Sequence, residues 1–304
     1  MVYLHIVNVV VSDMRVILPR LSACLPVLIL MAAISCEPES NPKNKAKYGV
    51  DGRTPLPEAV DIGLVIRRTD GSSYSLKLAS FNLGASKEYE YGDYYAWGET
   101  EPYYTSLDPL VWSKRNNVEL KYDWSSYLYA NGAYNKINKY CYDTDKWHYW
   151  DGPGDAPDGL YTLEPGDDAA NRKLGGLWRM PTDVEMKAFI ELTKDKANYR
   201  WGFISVMDAN GEAVMDPYGN KVKGWMLTQL STGNSVFFPA AGFCYQNETG
   251  INIGKNGAYW SSSLYGAPSE PSNAAGIGMN DASLTVSFSG DGRFRGRSIR
   301  PVCQ

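Results

Sequence analysis

Acid–base and nucleophilic chemistry has few candidate residues in this chain. Histidine occurs twice, as His5 and His148. A Ser-His-Asp or Cys-His arrangement would have to use His148, because His5 lies in a leader segment. His148 stands in the aromatic run Lys146-Trp147-His148-Tyr149-Trp150, where a packing or surface histidine is the plainer reading. A zinc site of Cys and His is disfavoured on the same ground. The cysteines are Cys24, Cys36, Cys141, Cys244 and Cys303. A reactive thiolate needs electropositive surroundings. Arg300 lies near Cys303 but reads more simply as a strand-end charge. Acidic residues gather at Asp151, Asp155, Asp158, Glu164, Asp167 and Asp168. Oxygen-rich loops can hold calcium. This spacing fits no calcium loop, so a solvated loop is favoured, with Asp167 or Asp168 bonding local backbone N–H groups.

Binding chemistry has more candidates. Arg293, Arg295 and Arg297 alternate and would share one face of a final strand, unless Gly296 marks a bulge. A solvated face is expected there, with an anion-binding stripe as the rival. The run Tyr89, Tyr91, Tyr94, Tyr95, Trp97 suits a core or a stacking platform for sugar rings or a protein partner. Segments 100–135 and 142–160 are rich in Tyr and Trp but show no burying period. They are read as surface insertions. A ligand surface is therefore expected around Trp112, Tyr127, Trp147 and Trp150, with Asp151 and Asp155 as polar partners. The alternative is that these rings bury one another.

These residues need elements to position them. The clearest helix start in the chain is at Thr182, with Glu185 three residues on, a capping box. Met186, Phe189 and Ile190 then fall on one face of a helix over about 183–193. Leu177 to Met180, just before, reads as a short buried strand end. Val60–Arg68 and Tyr74–Ser80 flank Thr69-Asp70-Gly71-Ser72, a hairpin signal. Tyr89–Trp97 reads as a strand bent at Gly92. Further strands are expected at 201–207, 222–230, 235–238, 258–263, 283–289 and 293–302. Ser289-Gly290-Asp291-Gly292 is read as a hairpin turn joining the last two, and Asp208-Ala209-Asn210-Gly211 as another turn.

The N-terminal residues read as an export leader. A basic segment ending at Arg20 precedes an apolar run from Leu21 to Ile34, short for a membrane span. Small residues before Cys36 match a lipoprotein cleavage site, so Cys36 is the expected lipidated first residue. Met14 is an alternative start, which would make residues 1–13 an upstream mis-start. Residues 36–57 read as a disordered tether and 58–304 as one domain. Losing residues 1–35 removes Arg15, Arg20 and Asp13. It leaves 28 basic and 33 acidic residues, a net charge of −5, which argues against nucleic acid. A single lipid is then the expected membrane contact. Three cysteines remain after Cys24 and Cys36 are set aside, so at most one internal disulfide can form.

Several motifs occur in order along the chain. They are Asn82-Leu83-Gly84-Ala85, Tyr91 to Glu101 with Trp97, Lys139-Tyr140-Cys141, Asp167-Asp168-Ala169-Ala170, Gly175 to Thr182 with Trp178-Arg179-Met180-Pro181, Phe238 to Gly242, Tyr259-Trp260-Ser261-Ser262-Ser263 and Arg300-Pro301-Val302-Cys303. Over 58–304 the chain resembles the Fibrobacter succinogenes major paralogous domain family of Bacteroidetes surface lipoproteins. The resemblance implies an α+β, C-type-lectin-like domain, looped and β-dominated, with one or two helices and its N- and C-terminal strands paired. It also implies an outer-membrane or cell-surface location. The family brings no established activity. It often carries Cys where this chain has Phe81 and Trp where it has Met186. The expectation is a non-enzymatic binding or adhesion protein for an extracellular glycan or protein. The alternatives are a structural subunit of a surface assembly, and an oxidase like the formylglycine-generating enzymes, which would need Cys244 or Cys303 as a reactive thiol.

Overall fold

The Asp-Gly turn closes the hairpin expected of it. Asp70 accepts the Ser72 N–H at 2.8 Å and Gly71 takes a φ of 84°. That folds β1 (Ala59–Arg67) back onto β2 (Ser73–Ala79) in antiparallel register, with Val65 opposite Ser75. Ile62, Leu64 and Ile66 alternate inward, as the pleat dictates. The computed structural model describes residues 47–142, 149–266, 271–282 and 285–304. The chain continues with β3 (Tyr104–Leu107), β4 (Leu110–Trp112), β5 (Lys114–Arg115) and β6 (Val118–Glu119), then helices α1 (Ala169–Leu174) and α2 (Asp183–Lys194). Next come β7 (Tyr199–Ser205), β8 (Lys223–Gln229), β9 (Ser235–Pro239), β10 (Phe243–Tyr245) and β11 (Glu248–Ile251). The last strands are β12 (Asn256–Leu264), β13 (Asn273–Asn280), β14 (Val286–Gly292) and β15 (Val302–Cys303). They form the three-stranded sheets β1-β2-β15, β7-β8-β9 and β12-β13-β14, with three two-stranded ribbons. The domain is thus a β-dominated α+β structure.

Two features organise the packing. The first is α2. The Thr182 side chain accepts the Glu185 N–H, and Glu185 returns to the Thr182 N–H. Met186, Phe189 and Ile190 enter a core with Leu64, Leu76, Leu78, Phe238 and Ile277. Each such side chain, fully buried, stabilises the fold by roughly 1.5–3 kcal/mol. The second is the pairing of β15 with β2, Val302 opposite Leu78, which joins the two ends of the domain as expected.

Four expectations are corrected. Residues 47–57 are ordered on the domain, so the expected tether at 36–57 is too long. Tyr48 bridges Pro55, the Asp51 N–H bonds Lys173 O at 3.3 Å, and Thr54 is buried. Residues 89–97 form no strand. They run irregularly, with Tyr95 bridging Arg297, and their Tyr94, Tyr95 and Trp97 rings are buried. Ser289–Gly292 is not a turn: it continues β14, paired with β13, a strand the sequence reading lacked. Arg293, Arg295 and Arg297 do not share a solvated strand face: Arg293 and Arg297 are buried, Arg295 is half-buried, and residues 293–297 run as turns and isolated bridges, the last strand being only Val302–Cys303.

The aromatic insertions build a second core. Tyr103, Tyr104, Tyr122 and Tyr127 are buried with Trp97, Tyr140 and Trp260. Their polar ends are satisfied, as burial requires. Trp97 Nε1 donates to Ser261 O at 2.8 Å, Trp260 Nε1 to Tyr95 O at 2.9 Å and the Tyr94 hydroxyl to Ala241 O at 2.6 Å.

Candidate functional site

The chain makes a concavity where Asn82-Leu83-Gly84 meets Gly92-Asp93. Buried Arg300 fixes the first segment, donating to Asn82 Oδ1 at 3.0 Å, Ala79 O at 2.9 Å and Phe237 O at 2.6 Å. Burial draws the Arg300 pKa down to about 10, and the cation is held by neutral oxygens and the face of Phe238 at 4.7 Å. The Asp93 N–H bonds Leu83 O at 2.9 Å, and Asn82 Nδ2 bonds Tyr91 O at 2.9 Å. Gly84 has a φ of 85°, and a Cβ there would strike the Asp93 carboxylate. A glycine is what lets the two segments close.

Asp93 lies between two clefts that share it and Gly84. One, of about 490 Å³, is walled by Tyr89, Tyr91, Leu107, Met215 and Tyr218, with Glu90, Asp108 and Asp216 at its margins. The other, of about 470 Å³, is polar, with Asp51, Arg53, Glu101 and Lys173. Burial pushes the Asp93 carboxyl above the ordinary aspartate range, against the pull of Lys173 and the Tyr95 and Tyr104 hydroxyls, each 3.3 Å away. Asp216 is already committed: it accepts the Tyr91 hydroxyl at 3.1 Å and the Tyr218 and Asn220 N–H groups at 2.9 and 2.7 Å. That turn holds up Tyr218, which is half exposed. The arrangement offers apolar ring faces beside a largely buried carboxyl, a setting suited to polyhydroxylated or mixed polar ligands.

The residues expected to bind are placed elsewhere. Tyr127 is buried; its hydroxyl donates to Trp97 O at 2.8 Å and accepts from Arg293 Nε at 3.0 Å. That expectation is overturned, because a phenol with two internal partners is more stable in the core than in water. Trp112 is half-buried and edge-on to Tyr122, with centroids 6.2 Å apart. Trp150 is half-buried, and its Nε1 donates to Gly154 O at 3.1 Å. Asp151 and Asp155 are exposed, and Asn131 Nδ2 donates to the Asp151 carboxylate at 3.0 Å. None of these residues lines either cleft, and Trp147 and His148 lie outside the described residues.

The expected acidic loop is structural. Asp158 accepts the Tyr140 and Cys141 N–H groups at 2.6 and 2.8 Å. Asp167 pairs with Lys139 at 2.6 Å, and Asp168 caps α1 through the Asn171 N–H at 3.0 Å. Among the described residues no group of three or more His, Cys, Asp or Glu is arranged to hold a metal ion.

Arg179 forks onto Glu185 at 2.7 and 2.6 Å, and Tyr74 donates to the same carboxylate at 2.6 Å. With Pro181, Thr182 and Trp178 this is the framework at the start of α2. Cys141, Cys244 and Cys303 are buried, and Cys244 and Cys303 are free thiols. Burial pushes the Cys244 and Cys303 thiols up.

The sequence reading missed Asp93, Asp216 and Tyr218. Its signals were Gly84 and Gly92, which mark a close backbone approach, and Asp216-Pro217-Tyr218-Gly219-Asn220, a turn composition. Neither family models, nor curated proteins, nor solved structures give a match to this chain.

Proposed function

We propose that this chain is an exported, lipid-anchored outer-membrane or cell-surface protein of the major paralogous domain family, with a C-type-lectin-like domain. It binds a glycan or protein ligand outside the cell and is not an enzyme. The observation that carries the binding reading is the paired cleft around Asp93, with Tyr89, Tyr91 and Tyr218 as ring walls. Concave sites with aromatic walls and a few fixed polar groups are the usual form of ligand pockets. The export and anchoring reading rests on the apolar leader and Cys36. No helix among the described residues is long and apolar enough to cross a membrane. Against the oxidase alternative, thiols raised by burial are poor nucleophiles.

The test uses the mature chain with Cys36→Ala on glycan and protein arrays, with and without Tyr218→Ala. Tyr218 is half exposed, so its truncation leaves the core intact. Loss of the array signal in Tyr218→Ala supports the reading. A signal indifferent to Tyr218→Ala, or no signal from the parent chain, refutes this cleft as the ligand site.

A further inference from the structure

A second concavity lies on the outer face of the β12-β13-β14 sheet, and it shares no residue with the paired cleft. Ala258, Gly278 and Ser287 are opposite one another across the three strands, as are Trp260, Gly276 and Ser289. Directly opposed residues share a sheet face. The neighbours Tyr259 and Ile277 point the other way, into the core with α2. Next to Trp260, which is buried in the aromatic core, this face carries only the small residues Ala258, Gly278 and Ser287, and a cleft of about 350 Å³ lies over them. Asn256, Asn280 and Ser287 give it a polar rim.

Arg297 lines this cleft. Its guanidinium lies over the Trp260 ring at 4.4 Å, and its side chain is 9% exposed. Nη2 pairs with Asp291, but Nε and Nη1 have no hydrogen-bond partner. Asp291 also meets Arg295 Nε at 2.9 Å, so one carboxylate serves two guanidiniums. One positive charge is left over at a site removed from water. A buried cation with unused N–H groups is costly unless an acceptor arrives.

We infer that this cleft is an anion subsite that takes the carboxylate of an acidic sugar unit beside Arg297, whose buried, unused donors it reaches on a small shift of the guanidinium. One surplus positive charge matches a carboxylate better than a dianion, which Asp291 would also repel. The amide and hydroxyl rim suits sugar hydroxyls, which need paired donors and acceptors. Trp260 under the guanidinium is a built-in reporter.

The test is titration of the mature Cys36→Ala chain with sodium galacturonate in low-chloride buffer, read by calorimetry and tryptophan fluorescence. Galactose, acetate and sulfate are run as separate arms. Saturable galacturonate binding with a Kd at or below about 1 mM is expected, at least tenfold tighter than galactose or sulfate. Gly278→Leu is the blocking variant. A Cβ at Gly278 meets only Ser287 Oγ at 3.4 Å, an ordinary contact, so a side chain can start there without strain, and the Leu branch is expected to occupy the cleft above it. It should weaken galacturonate at least tenfold with an unchanged melting temperature. Arg297→Lys, which keeps the charge but loses the planar donors, should weaken it as well. Absence of saturable binding, sulfate or acetate binding as tightly as galacturonate, or an undiminished affinity in Gly278→Leu would each overturn the inference.

Discussion

Glu185 is 1% exposed and carries three charge-assisted or phenolic hydrogen bonds from Arg179 and Tyr74. Burial alone would raise its carboxyl, but the Arg179 fork outweighs that and holds it below the ordinary glutamate range. The sign of the linkage follows. Stability from this group is complete above the unfolded glutamate pKa of about 4.3 and is lost as pH falls through the lower folded value. Glu185→Ala should cost on the order of 3 kcal/mol at pH 7, because it removes a buried acceptor from Arg179, Tyr74 and the Thr182 N–H and leaves the half-buried guanidinium without its carboxylate. Thermal melts of both proteins from pH 7 to 3 should show the gap closing as pH falls. Asp93 has the opposite sign. Its raised carboxyl keeps a proton that the unfolded chain has released, so stability drops as pH rises from about 3.9 through the folded pKa. Asp93→Asn should therefore melt higher than the parent at pH 7, while weakening any ligand that uses the paired cleft.

The elements differ in how they depend on single residues. The capping box is local, so Thr182→Ala should cost about 1 kcal/mol, a fall of roughly 2–4 °C in Tm by calorimetry. Gly84 is a tertiary requirement. Its positive φ and its contact with Asp93 make Gly84→Ala strained on both counts, costing about 1–3 kcal/mol and shifting the cleft wall. The closing strand β15 is two residues long, but Val302 is buried against β2 and bridges Arg179 on its other side. Removing 293–304 also takes away buried Arg293 and Arg300, so the truncated chain should lose its cooperative melting transition. β13 is the instructive omission. Asn273-Ala274-Ala275-Gly276-Ile277-Gly278-Met279-Asn280 has almost no β-branched or aromatic residue. It is a strand because β12 and β14 supply partners on both sides.

At the scale of the whole molecule, two cores share one chain. One is mixed aliphatic and aromatic and built on α2, and the other is dominated by Tyr and Trp and built largely from segments that carry little regular structure. The aromatic core holds a cation without a carboxylate. Arg293 lies over Trp97 at 4.9 Å and donates to Tyr127 and to the carbonyls of Lys139, Tyr140 and Pro271. It ties the 139–141 segment to the C-terminal end of the domain. Residues 47–57 strap onto the second cleft beside Lys173. Deleting 47–57 from the mature chain should lower Tm and expose Lys173 to amine-reactive labelling, with α2 still folded by circular dichroism. Cys36→Ala should release the protein from the membrane fraction, and unchanged retention would remove the anchor from the proposal.

The sequence by itself determined what depends on neighbours in the chain. The Thr182–Glu185 box, the Asp70-Gly71 hairpin and the inward faces of β1 and α2 follow from side-chain spacing and turn chemistry, and each stands as expected. The motif order also pointed to the pairing of the domain's two ends. Tertiary structure decided the rest. Whether Tyr127 is a platform or a core ring depends on Trp97 and Arg293, 30 and 166 residues away. Whether Arg297 faces water depends on the sheet it lies across. The cleft around Asp93 exists because Gly84 and Gly92 let two segments touch while a turn at 215–220 closes over them. Burial is a property of the assembled surroundings, and no periodicity in a loop-rich segment encodes which rings those surroundings will cover.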